Sequence, residues 1–77
     1  MEPEEAFGIE LRELRTKNGL SQESLAHEAG IERNYISLLE LGRNSASIKI
    51  IFKLIPILGV SVAEFMKKVE ARLRAAQ

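Results

Sequence analysis

The sequence has 77 residues, no cysteine, and 11 basic against 11 acidic side chains, so its net charge is zero. This length suits a single domain, residues 1–77, and the lack of cysteine excludes disulfide scaffolds, thiolate zinc sites and cysteine nucleophiles. The acidic amino end lacks the basic start and apolar stretch of a signal peptide, and the longest apolar run is interrupted by Lys, Pro and Gly. We therefore expect a cytoplasmic bacterial protein with no membrane span.

Charge is distributed unevenly along the chain. Residues 1–14 carry a net charge of −4, and the remainder carries +4. Binding to nucleic acid requires a local excess of Lys and Arg, which a chain of zero net charge can still present on one face. Neutrality therefore lowers the expected affinity for phosphates without excluding nucleic acid as a partner.

Apolar residues recur three and four positions apart, and no stretch alternates apolar and polar residues convincingly, so the sequence predicts an all-α fold of five short helices. The first helix spans about Glu4 to Lys17 and ends at Asn18-Gly19, where glycine accepts a positive φ. The second begins after the N-cap residue Ser21 and ends near Ala29, before Gly30.

The third and fourth helices lie between Gly30 and Gly59. The third is predicted from about Arg33 to Leu41. Ser47 can cap the fourth, and Pro56 predicts a kink in it or an early end near Ile55, because proline removes an amide donor. The apolar face of the fourth helix comprises Ile48, Ile51, Phe52, Ile55 and Leu58.

The fifth helix, about residues 62–76, begins at a capping box. In this motif Ser61 accepts a hydrogen bond from the third amide of the helix, and Glu64 accepts one from the amide of Ser61. The apolar residues of this helix form a stripe, namely Val62, Phe65, Met66, Val69 and Leu73. Either the stripe closes the chain's own core, or part of it meets a second chain.

Residues 22–41 carry a motif. Small and apolar residues stand at Leu25, Ala26, Ala29, Gly30, Ile31, Ile36 and Leu39. This pattern resembles the helix-turn-helix of the phage-repressor and Cro-like (XRE-type) DNA-binding proteins, and the resemblance extends from about residue 7 to residue 65. The length, the ERNYIS stretch and the long last helix are similar to the controller proteins of bacterial restriction-modification systems. The resemblance implies a five-helix, lambda-repressor-like domain that binds double-stranded DNA and regulates transcription.

Three residues of the third helix are the predicted base-contacting residues. With Ile36 and Leu39 turned inward, helical geometry places Arg33, Asn34 and Ser37 on the outer side, at the end that would enter a major groove. Arginine pairs well with guanine, asparagine with adenine, and serine with either base or phosphate. The alternative is that Arg33 is an ordinary surface arginine, for example one that pairs with Glu32 or Glu40.

Contacts with the DNA backbone are predicted from residues that border the third helix. Gln22 resembles the family residue that meets a phosphate, although it could equally start its helix in solvent. Asn44 could serve only as a turn former, and the ring of Tyr35 could cover the rim of the core. The full predicted set is Gln22, Tyr35, Arg43, Asn44 and Ser45.

Proteins with one such module usually bind paired half-sites as homodimers, so the resemblance also implies a second copy of the chain and a roughly palindromic operator. We expect Met66, Val69 and Leu73 to be shared with that copy. RNA polymerase is a further expected partner. We do not expect an enzyme, because the only histidine, His27, has no second metal ligand or nucleophile at a suitable spacing and no glycine-rich phosphate loop is present. The alternative is a helical protein-interaction module, such as an antitoxin, that uses Tyr35 and Leu38. RNA binding is not expected, because the chain has no aromatic platform on which bases could stack.

Overall fold

The computed structural model describes all 77 residues and contains five α-helices and no strand, which confirms the predicted fold class. A short 3-10 turn, Ile55–Leu58, separates the last two helices. The helices are α1 (Pro3–Lys17), α2 (Gln22–Ala29), α3 (Arg33–Glu40), α4 (Ile48–Leu54) and α5 (Val62–Ala75). None of them combines the length and the apolar character that crossing a bilayer requires.

Serine side chains fix the start of three helices. Each accepts a hydrogen bond from the amide three residues later, which satisfies a donor that the helix itself leaves unpaired. The pairs are Ser21 with Ser24 at 3.0 Å, Ser47 with Ile50 at 3.2 Å and Ser61 with Glu64 at 3.0 Å. The predicted starts of α2, α4 and α5 therefore agree with the structure. α3 has Glu32 at the same position and no side-chain cap.

The core lies where α1 and α5 enclose the middle helices. The rings of Phe7 and Phe65 meet edge to face with centroids 5.0 Å apart, a favourable arrangement for two aromatic rings. Fourteen buried apolar residues form one continuous cluster, to which every helix contributes. A single core of this kind holds α3 against the rest of the domain.

The apolar face predicted for α4 is divided by the structure. Ile55 and Leu58 are buried, but Ile48 is 75% exposed and Phe52 is 63% exposed, so the prediction of one shared face was wrong for these two. Leu54 sets the direction in which α4 faces the core. Because residues advance by about 100° around a helix, Phe52 points about 200° away from Leu54.

Of the two effects predicted for Pro56, a kink or an early end of the fourth helix, the early end is confirmed. α4 ends at Leu54, and the chain continues as the 3-10 turn that contains the proline. Gly59 closes this turn at φ +79°, a left-handed conformation that favours glycine. The turn allows the buried side chains on either side of Pro56 to remain in the core.

An ion pair fastens the carboxyl end of α5 to α1. Arg72 Nε donates to Glu10 Oε1 at 2.9 Å, and Arg72 Nη2 donates to Glu13. The hydrogen bond to Glu10 raises the pKa of Arg72 above its ordinary value. Together with the contact between Phe7 and Phe65, this ion pair holds α5 against α1.

Candidate nucleic-acid interface

A tight turn joins α2 to α3. Gly30 has φ +67°, and the amide of the next residue, Ile31, donates to the carbonyl of Ala26 at 3.0 Å. These are the features of a glycine-closed helix end. Leu25 and Ala26 on α2, and Ile36 and Leu39 on α3, are buried. The two helices therefore pack through small and branched side chains and leave one side of α3 facing outward.

The outward side of α3 carries the predicted base-contacting residues. Arg33 and Asn34 are exposed, and Ser37 is half-buried. Arg33 has no acidic partner within 4.0 Å, since the ion pairs of the chain involve Arg15, Arg72 and Arg74. Arg33 therefore does not pair with Glu32 or Glu40, and its base-contacting role stays a prediction. The guanidinium of Arg33 is unpaired at the amino end of the helix.

Glu40 connects the other end of α3 to the two preceding helices. Its carboxylate accepts hydrogen bonds from Arg15 Nε at 2.6 Å, Arg15 Nη2 at 3.0 Å and Gln22 Nε2 at 3.0 Å. Arg15 Nη1 also donates to the carbonyl of Leu20 at 2.7 Å. The side-chain hydrogen bond to Glu40 raises the pKa of Arg15. Bidentate pairs of this kind fix geometry as well as charge.

Neither Arg15 nor its pairing with Glu40 was predicted from the sequence. The two residues are 25 positions apart, so no local pattern connects them. The spacing along α1 does indicate that Arg15 faces inward, because Arg15 follows the buried Leu11 by four residues. An arginine on an inward face requires a partner, because a buried unpaired charge is costly.

Gly8 allows α1 to lie directly against the end of α3. A Cβ atom at this position would lie 2.3 Å from the carbonyl oxygen of Leu39 and 2.7 Å from that of Glu40. Both distances are far shorter than any real Cβ contact, so only glycine permits this approach. The position of α3 is therefore set at its carboxyl end by backbone contact and by the Glu40 hydrogen bonds.

The predicted backbone-contacting residues fall into two groups. Arg43, Asn44 and Ser45 are exposed in the loop after α3, whereas Gln22 and Tyr35 are half-buried. Tyr35 packs against the core. Gln22 donates to Glu40, but an amide nitrogen carries two hydrogens, so one remains for another acceptor.

The two ends of α3 present different predicted contacts. Arg33 begins the helix and Arg43 follows its end, and eight residues of α-helix span about 12 Å. α4 adds a positive group near the first end, since a Cβ placed on Gly30 would lie 3.5 Å from Lys53 Nζ. Basic groups therefore lie at both ends of α3.

The residues predicted to meet a second chain lie on α5. Met66 and Leu73 keep accessible surface, but Val69 is only 3% exposed and belongs to the chain's own core. The expectation of a shared Val69 therefore needs correction, because a side chain enclosed by its own chain has little surface left for a partner. All three line an open cavity of about 550 Å³.

Comparisons with known proteins agree with this geometry. The family HTH_3, helix-turn-helix, matches residues 11–65. Control protein C.MunI from Mycoplasma sp. is 35% identical over 65 residues, which cover 83% of this chain and 88% of C.MunI. The crystal structure of the restriction-modification controller protein C.AhdI from Aeromonas hydrophila is 42% identical, with a TM-score of 0.77 over 80% of this chain and 94% of that one.

A further solved structure matches the whole chain. The clp gene regulator ClgR from Corynebacterium glutamicum superimposes with a TM-score of 0.90 at 32% identity, over 100% of this chain and 84% of that one. The relatives are regulators and controller proteins, not enzymes, which confirms the exclusion of an enzyme. The chain belongs to the helix-turn-helix family of DNA-binding transcriptional regulators and is similar to restriction-modification controller proteins over most of its length.

Proposed function

We propose that the chain is a homodimeric transcriptional regulator that binds a roughly palindromic operator with α3 of each subunit in successive major grooves. One observation carries the proposal. Arg33 and Asn34 are exposed, without an intramolecular ion pair, at the amino end of a helix whose opposite face is buried. Side chains placed in this way reach base edges when a recognition helix enters the groove.

Each predicted base contact follows from the chemistry of the side chain. Arg33 can donate two parallel hydrogen bonds to O6 and N7 of guanine, and Asn34 can pair with N6 and N7 of adenine. Ser37, half-buried one turn later, can reach a base or a phosphate. Together they would read part of one half-site, which is too little for selectivity by one subunit.

The proposed phosphate contacts position the helix and carry no base selectivity. Gln22 offers its second amide hydrogen, the loop residues Arg43, Asn44 and Ser45 are exposed, and Tyr35 offers its hydroxyl. The hydrogen bonds of Glu40 hold Gln22 in a fixed position relative to α3. The Gln22 contact would therefore form without rearrangement of the domain.

We further propose a role like that of the control proteins to which the chain is similar, which is regulation of a restriction-modification operon. A dimer bound over a promoter blocks RNA polymerase, and one bound just upstream can recruit it. The position of the footprint relative to the promoter distinguishes the two outcomes.

The alternative, a protein-interaction module such as an antitoxin, requires an exposed apolar surface at Tyr35 and Leu38. Both side chains are half-buried, and Tyr35 packs against the core. Only part of each side chain is therefore available to a partner protein. The salt dependence of the binding affinity distinguishes the two functions. Affinity for DNA falls steeply as the salt concentration rises, whereas affinity for an apolar groove changes little.

The proposal is tested by selection from a random duplex library at near-physiological salt. Wild type should enrich a two-fold site with half-sites about 10 base pairs apart, centre to centre, or at a near multiple. Arg33→Ala should lose about 1–3 kcal/mol on the selected site and relax selectivity at one base pair of each half-site. Arg74→Ala, an equal loss of charge at an exposed position of α5, serves as the control.

Two results would contradict the proposal. Equal losses by Arg33→Ala on the selected site and on random DNA would remove its role as a base-contacting residue. A folded wild-type chain that enriches no site would favour the protein-interaction alternative.

A further inference from the structure

Two leucines at the carboxyl end of α3 lie outside the core of the domain. Leu41 is 59% exposed. Leu38 is half-buried, but it is not among the half-buried apolar side chains that pack against the core. A single exposed leucine on a protein surface needs no explanation. Two of them on the outward side of a helix that carries predicted base contacts indicate a partner, and we call them the α3 leucine pair.

The α3 leucine pair continues the line of a predicted base-contacting residue. Asn34, Leu38 and Leu41 are spaced by four and three residues, so their side chains lie within about 40° of one another around the helix axis. Leu41 directly follows the last helical residue with φ −81° and ψ −4°, so the helical spacing extends to it. It points about 200° away from the buried Leu39. The pair therefore faces the same partner as Asn34.

The charges around the pair favour DNA as that partner. Within α3 the one carboxylate, that of Glu40, is bound by Arg15 and Gln22 and is only 4% exposed. Arg33 before the pair and Arg43 after it have no acidic partner. An apolar strip between two unpaired arginines is complementary to a major groove, which has phosphates along its edges and both polar and apolar groups on its floor.

The apolar group that a base presents in the major groove is the 5-methyl group of a pyrimidine. Thymine carries it, and so does 5-methylcytosine. Along the helix axis Leu38 lies about 6 Å beyond Asn34, and Leu41 lies about 10.5 Å beyond it. Successive base pairs are about 3.4 Å apart. A helix that follows the groove therefore brings the pair about two or three base pairs from the base that Asn34 contacts.

We propose that the α3 leucine pair contacts the 5-methyl group of a pyrimidine in each half-site and is a determinant of sequence specificity. The inference rests on the proposed function and adds an apolar contact to the hydrogen bonds from Arg33 and Asn34. Removal of the methyl group from the base should weaken binding, although every hydrogen-bonding group of the DNA is kept.

Methyl groups can be removed from the selected operator or added to it one at a time. Deoxyuridine in place of each thymine removes one methyl group, and 5-methylcytosine in place of each cytosine adds one. If the base is thymine, the affinity of wild type, measured by fluorescence anisotropy, should fall about four-fold for the methyl group that the pair contacts. If the base is 5-methylcytosine, the affinity should rise by a similar factor. The two sets of duplexes therefore distinguish the two sources of the methyl group.

Substitutions in the pair show whether it makes the contact. Leu38→Ala or Leu41→Ala should bind duplexes with and without the methyl group equally well, and Leu41→Met, which keeps an apolar side chain, should still distinguish them. Reduced stability does not produce this result, because unfolding lowers the affinity for both duplexes by the same factor. Ile48→Ala, a variant at a 75% exposed position of α4, should keep the full discrimination whatever its overall affinity.

Three results would overturn the inference. The first is equal affinity of wild type for duplexes with and without a methyl group at every position, and the second is unchanged discrimination in both alanine variants. In these two cases the selected operator still supports the proposed function. The third is a folded wild-type chain that selects no operator, which would overturn the inference and the proposed function together.

Discussion

At the scale of single residues, Gly8 has the clearest requirement. Alanine is a better helix former than glycine by about 1 kcal/mol, so Gly8→Ala would stabilise an exposed helix. Here the added Cβ would lie 2.3 Å from the Leu39 carbonyl oxygen, a rigid backbone atom. We expect a net loss of about 1–3 kcal/mol in the free energy of unfolding, measured by urea denaturation. Thr16→Ala, at an exposed position of the same helix, is the control. If the Gly8 variant were as stable as wild type, the contact between α1 and the end of α3 would not require glycine at this position.

Glu40 is the second residue whose role follows from its contacts. Glu40→Gln removes the charge that pairs with Arg15, while Arg15 remains only 11% exposed in its side chain. Loss of one partner of a largely buried pair costs about 3 kcal/mol, because the other charge is left unpaired. Urea denaturation should show this loss, and Arg15→Lys should show a smaller one. The same substitution in an exposed pair, Glu70→Gln opposite Arg74, should change stability by no more than about 1 kcal/mol. A Glu40 loss no larger than the Glu70 loss would show that the pair is unimportant for folding.

At the scale of helices, the start of α5 predicts a pH dependence. The backbone amide of Ser61, followed by its hydroxyl, lowers the pKa of Glu64 below its ordinary value of 4.5. Because the pKa is lower in the folded chain, the stabilisation is complete above the ordinary value and is lost as pH falls through the folded value. Glu64→Gln keeps an acceptor for the capping box but does not titrate there.

The measurement is the free energy of unfolding from neutral pH to about pH 3. The stability difference between wild type and Glu64→Gln should shrink as the solution is acidified. Glu23→Gln, in the first turn of α2, tests whether any exposed glutamate gives this result. A difference that stays constant with pH would contradict the role of the capping box.

How far the sequence predicts each helix depends on whether local chemistry determines it. The starts of α2, α4 and α5 were predictable, since a serine and its own next turn form each cap. The orientation of α4 was not, because apolar residues surround most of this helix and only packing decides which are buried. The exposure of Ile48 and Phe52 therefore required the structure.

The candidate site shows the same division. The outward position of Arg33 and Asn34 followed from the inward position of Ile36 and Leu39, which is local helical geometry. The pair of Arg15 with Glu40 joins distant parts of the chain, and no periodicity predicts such a pair. The partner of an inward charge is found only when the helices are placed in space.

For the whole molecule, the net charge of zero is the sum of an acidic first part and a basic remainder of the sequence. The first 14 residues carry −4 and the other residues carry +4. Part of the acidic excess is used internally, because Glu10 and Glu13 pair with Arg72. Arg33 and Arg43, by contrast, have no acidic partner. A dimer would thus bring few cations to DNA, and those it brings are available to phosphates and bases.

This distribution predicts how salt affects binding to DNA. Each phosphate neutralised contributes about −0.9 to the slope of log K against log salt. Arg43→Gln removes one proposed phosphate contact per subunit, so in a dimer the slope should become shallower by about 2. The affinity of wild type and variant for the selected operator, measured by fluorescence anisotropy at several salt concentrations, gives the two slopes. Arg74→Gln removes the same charge from the end of α5 and should leave the slope unchanged. If Arg43→Gln has the wild-type slope, the loop after α3 does not contact phosphate, and the proposed orientation of α3 in the groove would have to be revised.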